Sequence, residues 1–294
     1  MKKWPIVGLT LAVSASLAGC SSGSSKESIT IGSKNFTENI LVAHMMADVI
    51  EQETDLKVER KVNLGGTNVA WKALQNNDIQ LYPEYTGTIV ANFYQQKTGT
   101  SEETLAKAKE LLKKDKIQFT NKLGFNNTYT LAVTQETADK YKLKSFSDLV
   151  KVAGSLTLGS EFEFIDRPDG YPGLQKTYGM NFKEATGMDR GIMYRSLTDQ
   201  KVDVIDAYST DGQIKVNNLV VLKDDKSFFP PYDAGPVVRD DVLEKYPKLK
   251  DALAKLEGQV SEKDMQDLNA KVDSEGLKAE KVAEEFLKEK GILK

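Results

Sequence analysis

The pentapeptide Ile29-Thr30-Ile31-Gly32-Ser33 is the strongest indication of architecture in this chain, because it recurs as Leu156-Thr157-Leu158-Gly159-Ser160. Each copy has the alternating pattern of a short strand and leads into a Gly-Ser turn. A second matching segment follows each copy at a similar distance and reaches Tyr85-Thr86-Gly87 in one half and Tyr208-Ser209-Thr210 in the other. The repeat predicts two similar α/β lobes, although two short strands can also resemble each other by chance.

The residues around the first copy switch between strand and helix periodicity. Strands are predicted over 28–32, 58–64 and 79–82, and a helix is predicted after Gly65-Gly66-Thr67. Asn35 and Glu38 have the spacing of a capping box, which predicts that another helix opens there. This βαβ order favours largely parallel sheets.

The ligand cleft is expected where the two lobes face each other. Ligands of open α/β sheets bind beyond the carboxyl ends of the strands. The repeat places four polar or aromatic residues at such ends, namely Ser33, Tyr85, Ser160 and Tyr208.

Composition excludes several classes of function. The 294 residues carry a formal net charge of −3, and no basic block alternates with aromatics, so we expect no nucleic-acid partner. The only long uncharged apolar stretch, 4–17, is shorter than the roughly 20 residues of a spanning helix. One histidine and one cysteine leave little scope for metal or nucleophile chemistry.

The N-terminus resembles a bacterial lipoprotein signal. Lys2 and Lys3 precede an apolar run, and Leu17-Ala18-Gly19-Cys20 ends on the only cysteine. The resemblance implies that residues 1–19 are removed and that Cys20 carries the lipid. The Ser/Gly-rich residues 20–26 would then be a flexible tether, and the protein would work at the extracytoplasmic face of the cell membrane. An ordinary signal peptide followed by a buried cysteine is the alternative.

Five motifs together resemble the substrate-binding proteins of osmoprotectant ABC transporters, which take up glycine betaine, proline betaine, carnitine or choline. The motifs are Gly32-Ser33-Lys34-Asn35-Phe36-Thr37-Glu38, Leu64-Gly65-Gly66-Thr67, Tyr82-Pro83-Glu84-Tyr85-Thr86-Gly87-Thr88, Arg167-Pro168-Asp169-Gly170 and Asp206-Ala207-Tyr208-Ser209-Thr210-Asp211. The resemblance implies the α/β, two-lobed type II periplasmic-binding-protein fold, with a ligand cleft between the lobes. Lobe I would comprise 27–126 plus 231–294, and lobe II 127–230.

A trimethylammonium group has no N–H to donate, so ring faces rather than hydrogen bonds must select it. Aromatic cages recognise such cations by cation–π attraction, at about 0.5–2 kcal/mol per ring. By resemblance, four tyrosines next to turn-forming residues would form the cage: Tyr85, Tyr129, Tyr208 and Tyr232. For any single tyrosine, half-buried core packing is the alternative.

A betaine also carries a carboxylate, which requires cationic or hydroxyl donors. Lys34 precedes a predicted helix N-terminus, which favours an anion, and the guanidinium of Arg167 matches a carboxylate bidentately. The resemblance implies that Lys34, Thr88 and Arg167 hold this group. A solvated lysine and an arginine that supports its own turn are the alternatives.

The sequence gives little support for an enzymatic function. His44 lies in an apolar helical stretch, and Glu161 and Glu163 have no pocket signal around them. We expect no catalytic residue, no metal and no cofactor, and a monomer that partners a small quaternary-ammonium solute and an ABC permease. The same fold tuned to an amino acid or another small solute, or an adhesin without ligand, remains open.

The C-terminal third is predicted to be helical over 239–256 and 262–290. Pro247 and Gly276 are expected to interrupt these stretches, and Gly291 to end the second. Their Lys/Glu-rich runs indicate solvated faces.

Overall fold

The computed structural model describes residues 27–294. These residues form two five-stranded sheets, and the α/β two-lobed fold is confirmed. The first sheet consists of β1 (Ser28–Gly32), β2 (Lys57–Lys61), β3 (Leu81–Tyr85), β4 (Ile117–Phe119) and β10 (Ala234–Arg239). The second consists of β5 (Tyr129–Val133), β6 (Thr157–Ser160), β7 (Glu184–Gly187), β8 (Val204–Tyr208) and β9 (Val220–Leu222).

The two sheets have the same strand plan. Their orders are β2-β1-β3-β10-β4 and β7-β6-β8-β5-β9, so the repeated pentapeptides, as β1 and β6, take the same place in each. Each of the two strands pairs in parallel with both neighbours. An antiparallel strand follows, β10 in one sheet and β5 in the other. Both sheets are therefore mixed, and the prediction of largely parallel sheets is wrong. The antiparallel strands, β10 and β5, come from parts of the chain outside the predicted βαβ run.

Helices cover the sheets and supply most of the core. They are α1 (Thr37–Glu53), α2 (Thr67–Gln75), α3 (Ser101–Leu112), α4 (Gln135–Tyr141), α5 (Phe146–Val150), α6 (Phe162–Asp166), α7 (Tyr171–Tyr178), α8 (Arg190–Thr198), α9 (Gly212–Val216), α10 (Asp240–Lys245), α11 (Lys248–Ala254), α12 (Glu262–Asp273) and α13 (Ala279–Glu289). A π-helical turn, Thr88–Phe93, follows β3. Helix α1 buries apolar residues along its whole length and contacts α11, α12 and α13. No helix among the described residues is long and apolar enough to cross a membrane.

Several local predictions need correction. Helix α1 begins at Thr37, and its N-cap, Phe36, makes no side-chain cap, so the predicted capping box of Asn35 and Glu38 is wrong. Strand β2 ends at Lys61 rather than Leu64, because Asn63 adopts a left-handed φ of 60° and turns the chain. Strand β3 begins later than predicted, and it includes Tyr85.

The predicted interruptions of the C-terminal helices are confirmed. The first stretch breaks around Pro247, between α10 and α11, and the second breaks between α12 and α13, where Gly276 has a positive φ of 72°. Helix α13 ends at Glu289, just before Gly291. A proline lacks the donor that continues a helix, and a glycine adopts the left-handed turn at no steric cost.

Two neighbouring segments connect the lobes. Asn126 and Asp233 form an antiparallel bridge, and the Asn127 N–H donates to the Tyr232 carbonyl at 3.0 Å. All strands of the first sheet lie within 27–126 or 231–294, and those of the second lie within 127–230. The exact lobe boundaries stay a prediction. The predicted signal peptide 1–19, the predicted tether 20–26 and Cys20 lie outside the described residues.

Candidate functional site

A small cavity lies between the lobes, beyond the carboxyl ends of β1, β3 and β8. Its volume of about 20 Å³ is room for about one water molecule. The lining residues are Lys34, Phe36, Thr67, Tyr85, Thr88, Asn127, Tyr129, Arg167, Tyr208 and Tyr232. The structure thus brings together all seven residues that the sequence assigned to the ligand.

Strand ends position the four tyrosines. Tyr85 and Tyr208 are the last residues of β3 and β8, Tyr129 is the first of β5, and Tyr232 precedes β10. The Tyr129 ring lies 4.8 Å from that of Tyr208 and 5.6 Å from that of Tyr232 between centroids. These angled contacts hold the rings by packing.

Phe36 adds a fifth ring. Its centroid lies 6.2 Å from that of Tyr85 and 5.5 Å from that of Tyr208, so it connects a tyrosine of each sheet. Sequence reasoning missed Phe36 and Thr67 as lining residues, although both lie in the quoted motifs. Asn127, two residues before Tyr129, also lines the cavity.

Three of the cage phenols donate hydrogen bonds to carboxylates. Tyr85 donates to Glu38, Tyr208 to Glu161 and Tyr232 to Asp169, each at 2.7 Å. The fourth, Tyr129, lies next to the hydroxyl of Tyr208 at an oxygen–oxygen distance of 3.3 Å. Carboxylates therefore fix the hydroxyl ends of three of the four tyrosines that line the cavity.

The guanidinium of Arg167 is buried and already paired. It donates from Nε to Asp169 Oδ1 at 2.8 Å and from one terminal nitrogen to Oδ2 at 2.6 Å. Its terminal nitrogens also donate to the hydroxyls of Thr67 and Thr88, both at 3.3 Å. Burial opposes the ionised form of Asp169, but the charge and hydrogen bonds of Arg167 outweigh it and lower the pKa of this carboxyl.

Lys34 is paired in the same way. Its ammonium donates to Glu84 at 2.6 Å, and the same carboxylate accepts the hydroxyl of Tyr82 at 2.7 Å. Burial lowers the pKa of Lys34, while Glu84 opposes this effect. The ammonium also lies 5.1 Å from the centroid of the Tyr85 ring. The lysine at the expected helix-terminus site is thus already paired with a buried carboxylate, that of Glu84.

Arg190 places a cation next to the Tyr208 ring, as Lys34 does next to the Tyr85 ring. The guanidinium carbon of Arg190 is 4.2 Å from the Tyr208 centroid, and Arg190 pairs with Asp211 and, at 3.2 Å, with Glu161. Burial, reinforced by the charge of Glu161, raises the pKa of the nearby Asp206 to about 8. Arg190 therefore orients Tyr208 without lining the cavity.

Ser33 and Ser160 do not line the cavity, contrary to the sequence expectation. Both are fully buried. The Ser33 hydroxyl donates to the Lys34 carbonyl and accepts from the Asn63 N–H, and that of Ser160 donates to the Glu161 carbonyl. Their hydroxyls are used to shape the turns after β1 and β6.

The comparison with known families gives a match over nearly all of the described chain. Residues 27–289 match the substrate-binding domain of the ABC-type glycine betaine transport system. A carnitine transport binding protein of Listeria monocytogenes, OpuCC, is 40% identical over 287 residues, covering 95% of this chain and 93% of its own.

Two further relatives extend the comparison. The ergothioneine transport permease/ergothioneine binding protein EgtU of Helicobacter pylori is 34% identical, covering 90% of this chain and 48% of its own. A solved structure of a glycine betaine/carnitine/choline ABC transporter is 36% identical, with a TM-score of 0.73, and covers 90% of this chain and 99% of its own.

Proposed function

Because this chain belongs to the family of substrate-binding domains of ABC-type glycine betaine transport systems, we propose that it captures a quaternary-ammonium osmoprotectant in its tyrosine cage. It would then deliver the solute to a membrane permease. One observation carries the proposal, namely that all seven residues assigned from the sequence line a single cavity between the lobes. Its relatives are solute-binding proteins of transporters rather than enzymes, which supports a solute-binding role for this chain.

The cage end suits a cation that cannot donate hydrogen bonds. Tyr85, Tyr129, Tyr208 and Tyr232 present ring faces, and three of their hydroxyls are occupied by carboxylates. Methyl groups on nitrogen pack against ring faces and spread the positive charge over them. This chemistry favours a trimethylammonium over an amino acid ammonium, whose N–H groups would find too few acceptors there.

The opposite end suits a carboxylate. The hydroxyl of Thr88 and the guanidinium of Arg167 line the same cavity and lie 3.3 Å apart, with Lys34 beside them. A carboxylate placed there would replace the long bonds from Arg167 to Thr67 and Thr88 with shorter charge-assisted ones. A betaine, with both charges in one small molecule, matches the two ends together.

Ligand entry requires the lobes to separate. The cavity has about 20 Å³, and Arg167, which follows α6, donates to Thr88 beyond β3 across the cleft. Opening would break these long bonds, and a ligand that bridges both lobes would favour closure.

We further propose that Cys20 carries a lipid that holds the protein at the extracytoplasmic face of the membrane. The supporting observation is the signal-like segment before it and the Ser/Gly-rich residues after it. Replacing Cys20 with Ala should abolish incorporation of a radioactive fatty acid and release the protein from the membrane fraction. Label retained on the variant would refute the anchor.

Calorimetric titration tests the ligand class. The panel is glycine betaine, proline betaine, carnitine, choline and ergothioneine, with an amino acid such as arginine as the competing class. We expect at least one trimethylammonium or betaine ligand to bind, and the amino acid to give no heat of binding. Tight binding of the amino acid alone would replace the proposed function with that of an amino-acid-binding protein.

A further inference from the structure

The three carboxylates behind the cage differ in what neutralises them. Asp169 is paired with Arg167, and Glu161 is paired with Arg190. Glu38 is only 2% exposed, and its hydrogen-bond donors in the described chain are uncharged. They are the phenol of Tyr85 at 2.7 Å, the amide of Asn127 at 2.7 Å and the hydroxyl of Thr210 at 2.5 Å.

The position of Glu38 links it to the cavity through one ring. It lies in the first turn of the 17-residue helix α1, where the helix dipole favours an anion. Its carboxylate holds the hydroxyl of Tyr85, and the Tyr85 ring lines the cavity. A phenol that donates to a carboxylate gains electron density on its ring face, and the carboxylate charge acts across that ring at low dielectric.

We propose that Glu38 is the counter-charge for the ligand's quaternary ammonium and acts on it through Tyr85, without touching the ligand. This inference rests on the proposed cage. It explains why a buried carboxylate is held only by neutral donors: its charge balance is completed when a cation enters the cavity. Glu38 is thus a residue that sets the preference for a cation over a neutral group of the same shape.

Ligand binding should therefore release a proton from Glu38. Burial raises the pKa of Glu38 to about 7 in the unliganded protein, despite hydrogen bonds from Thr210 and Tyr85. The titratable groups that face it are Tyr85 on β3 and Asp211 before α9, while α12 presents the neutral amide of Asn269. Asp211 is itself paired with Arg190. A cation beside Tyr85 stabilises the ionised form, so the carboxyl proton passes to the buffer.

The first test uses the wild-type protein. Glycine betaine, or the trimethylammonium ligand that binds best, is titrated in two buffers with different ionisation enthalpies at pH 6, 7 and 8.5. A roughly tenfold preference of the ligand for ionised Glu38 would raise the acid dissociation constant of this carboxyl by the same factor, so we expect release of about 0.4 proton at both pH 6 and pH 7 and almost none at pH 8.5. Binding with no proton release at pH 6 would overturn the inference while leaving the proposed function intact. If no trimethylammonium ligand binds at all, the proposed function fails instead.

The second test changes only the charge. In Glu38→Gln, the amide oxygen can still accept from Tyr85 and Asn127, and the new amide can donate to Thr210, whose hydroxyl can turn to Asn127 Oδ1 at 3.0 Å. We expect the affinity for glycine betaine at pH 8.5 to fall roughly tenfold, the order for unit charges about ten ångströms apart, across the Tyr85 ring, at an effective dielectric constant of about 20. Proton release should disappear.

The neutral isostere 3,3-dimethylbutanoate separates charge from packing. It keeps the carboxylate and replaces the nitrogen with carbon, so Glu38→Gln should leave its affinity unchanged or raise it. An equal loss for both ligands would show that Glu38 only supports the fold of the site. The matched control is Asp115→Asn, which removes the carboxylate that accepts the Tyr94 phenol away from the cavity and should alter neither affinity nor proton release.

Discussion

Buried charge is balanced differently at the two ends of the cavity, namely the carboxylate end with Lys34, Thr88 and Arg167 and the cage end with the four tyrosines. At the carboxylate end, Arg167 and Lys34 are each neutralised by an internal partner, Asp169 and Glu84, at 2.6 Å. At the cage end, Glu38 is held by neutral donors only. One end is electrically balanced before ligand arrives, whereas at the other end the carboxyl group of Glu38 has no cationic hydrogen-bond donor among residues 27–294.

This difference indicates how each end discriminates. A balanced pair attracts a free carboxylate weakly at long range, so on the proposed function selection at that end would depend on the direction of the Arg167 donors. The proposed cage would attract positive charge without fixing the rotation of the ligand, because ring faces accept a cation at any rotation. A betaine would be oriented by the first end and retained by the second.

Replacing Arg167 with Ala should have the largest effect. Affinity for glycine betaine should fall by up to about a hundredfold, since charge-assisted bonds to the ligand are lost. Choline, which has no carboxylate, should lose less. Titration of both ligands measures the difference, and an equal loss would mean that Arg167 shapes the lobe rather than binds the carboxylate.

The same variant leaves Asp169 buried without its partner, which should lower the free energy of unfolding by about 3–5 kcal/mol. The double variant Arg167→Ala/Asp169→Asn separates the two effects. It should recover much of the stability, measured by urea denaturation, but not the affinity for glycine betaine. Recovery of affinity would contradict the role assigned to Arg167.

Glu38→Gln should show how much the buried, ionised carboxyl of Glu38 lowers the free energy of unfolding in the absence of ligand. Because the pKa of Glu38 is raised to about 7 from 4.5, its stabilising contribution is complete below about pH 4.5 and is lost as pH rises through 7. The variant should therefore become more stable than wild type by up to about 3 kcal/mol at pH 8, with little difference at pH 4.5. Denaturation curves of both proteins across this range provide the measurement. A difference that does not change with pH would show that Glu38 keeps one protonation state.

Much of the fold was accessible from the sequence because its signals are local. The repeated pentapeptide predicted two strands in equivalent positions, and Pro247 and Gly276 predicted where helices end. The mixed character of the sheets was not accessible, because β5 and β10 reach their sheets by long-range pairing that leaves no periodic trace. Asn35 looked like a helix cap, but tertiary contacts instead start α1 at Thr37.

The same contrast between local signals and long-range contacts applies to the site. Its lining could be predicted because the tyrosines, Lys34 and Arg167 lie in short motifs at strand ends. Their partners could not, since the contacts are remote: Glu38 and Thr210 are 172 positions apart, and Tyr232 and Asp169 are 63 apart. Glu38 had been interpreted as a helix-capping residue, and only the structure shows that its buried carboxylate accepts the hydroxyl of Tyr85.

Alanine at the cage positions tests whether the four rings act as one unit. Substitution of Tyr85, Tyr129, Tyr208 or Tyr232 should weaken binding by about 1–3 kcal/mol each, from lost cation–π attraction and lost packing. Titration of each variant with one trimethylammonium ligand measures the losses. A ring whose removal costs nothing would have to be assigned to core packing.

Phenylalanine at the same positions should have the smallest effect and separate the rings by their partners. Among residues 27–294, Tyr129 donates to no carboxylate, and its ring packs against Tyr208 and Tyr232. Tyr129→Phe should therefore change affinity by less than about 0.5 kcal/mol. Tyr85→Phe removes a donor from buried Glu38 and should weaken binding several-fold more, because that carboxyl is then harder to ionise. If Tyr129→Phe were as damaging as Tyr129→Ala, the hydroxyl rather than the ring face would bind the ligand. The cation–π account of this end of the cavity would then be wrong.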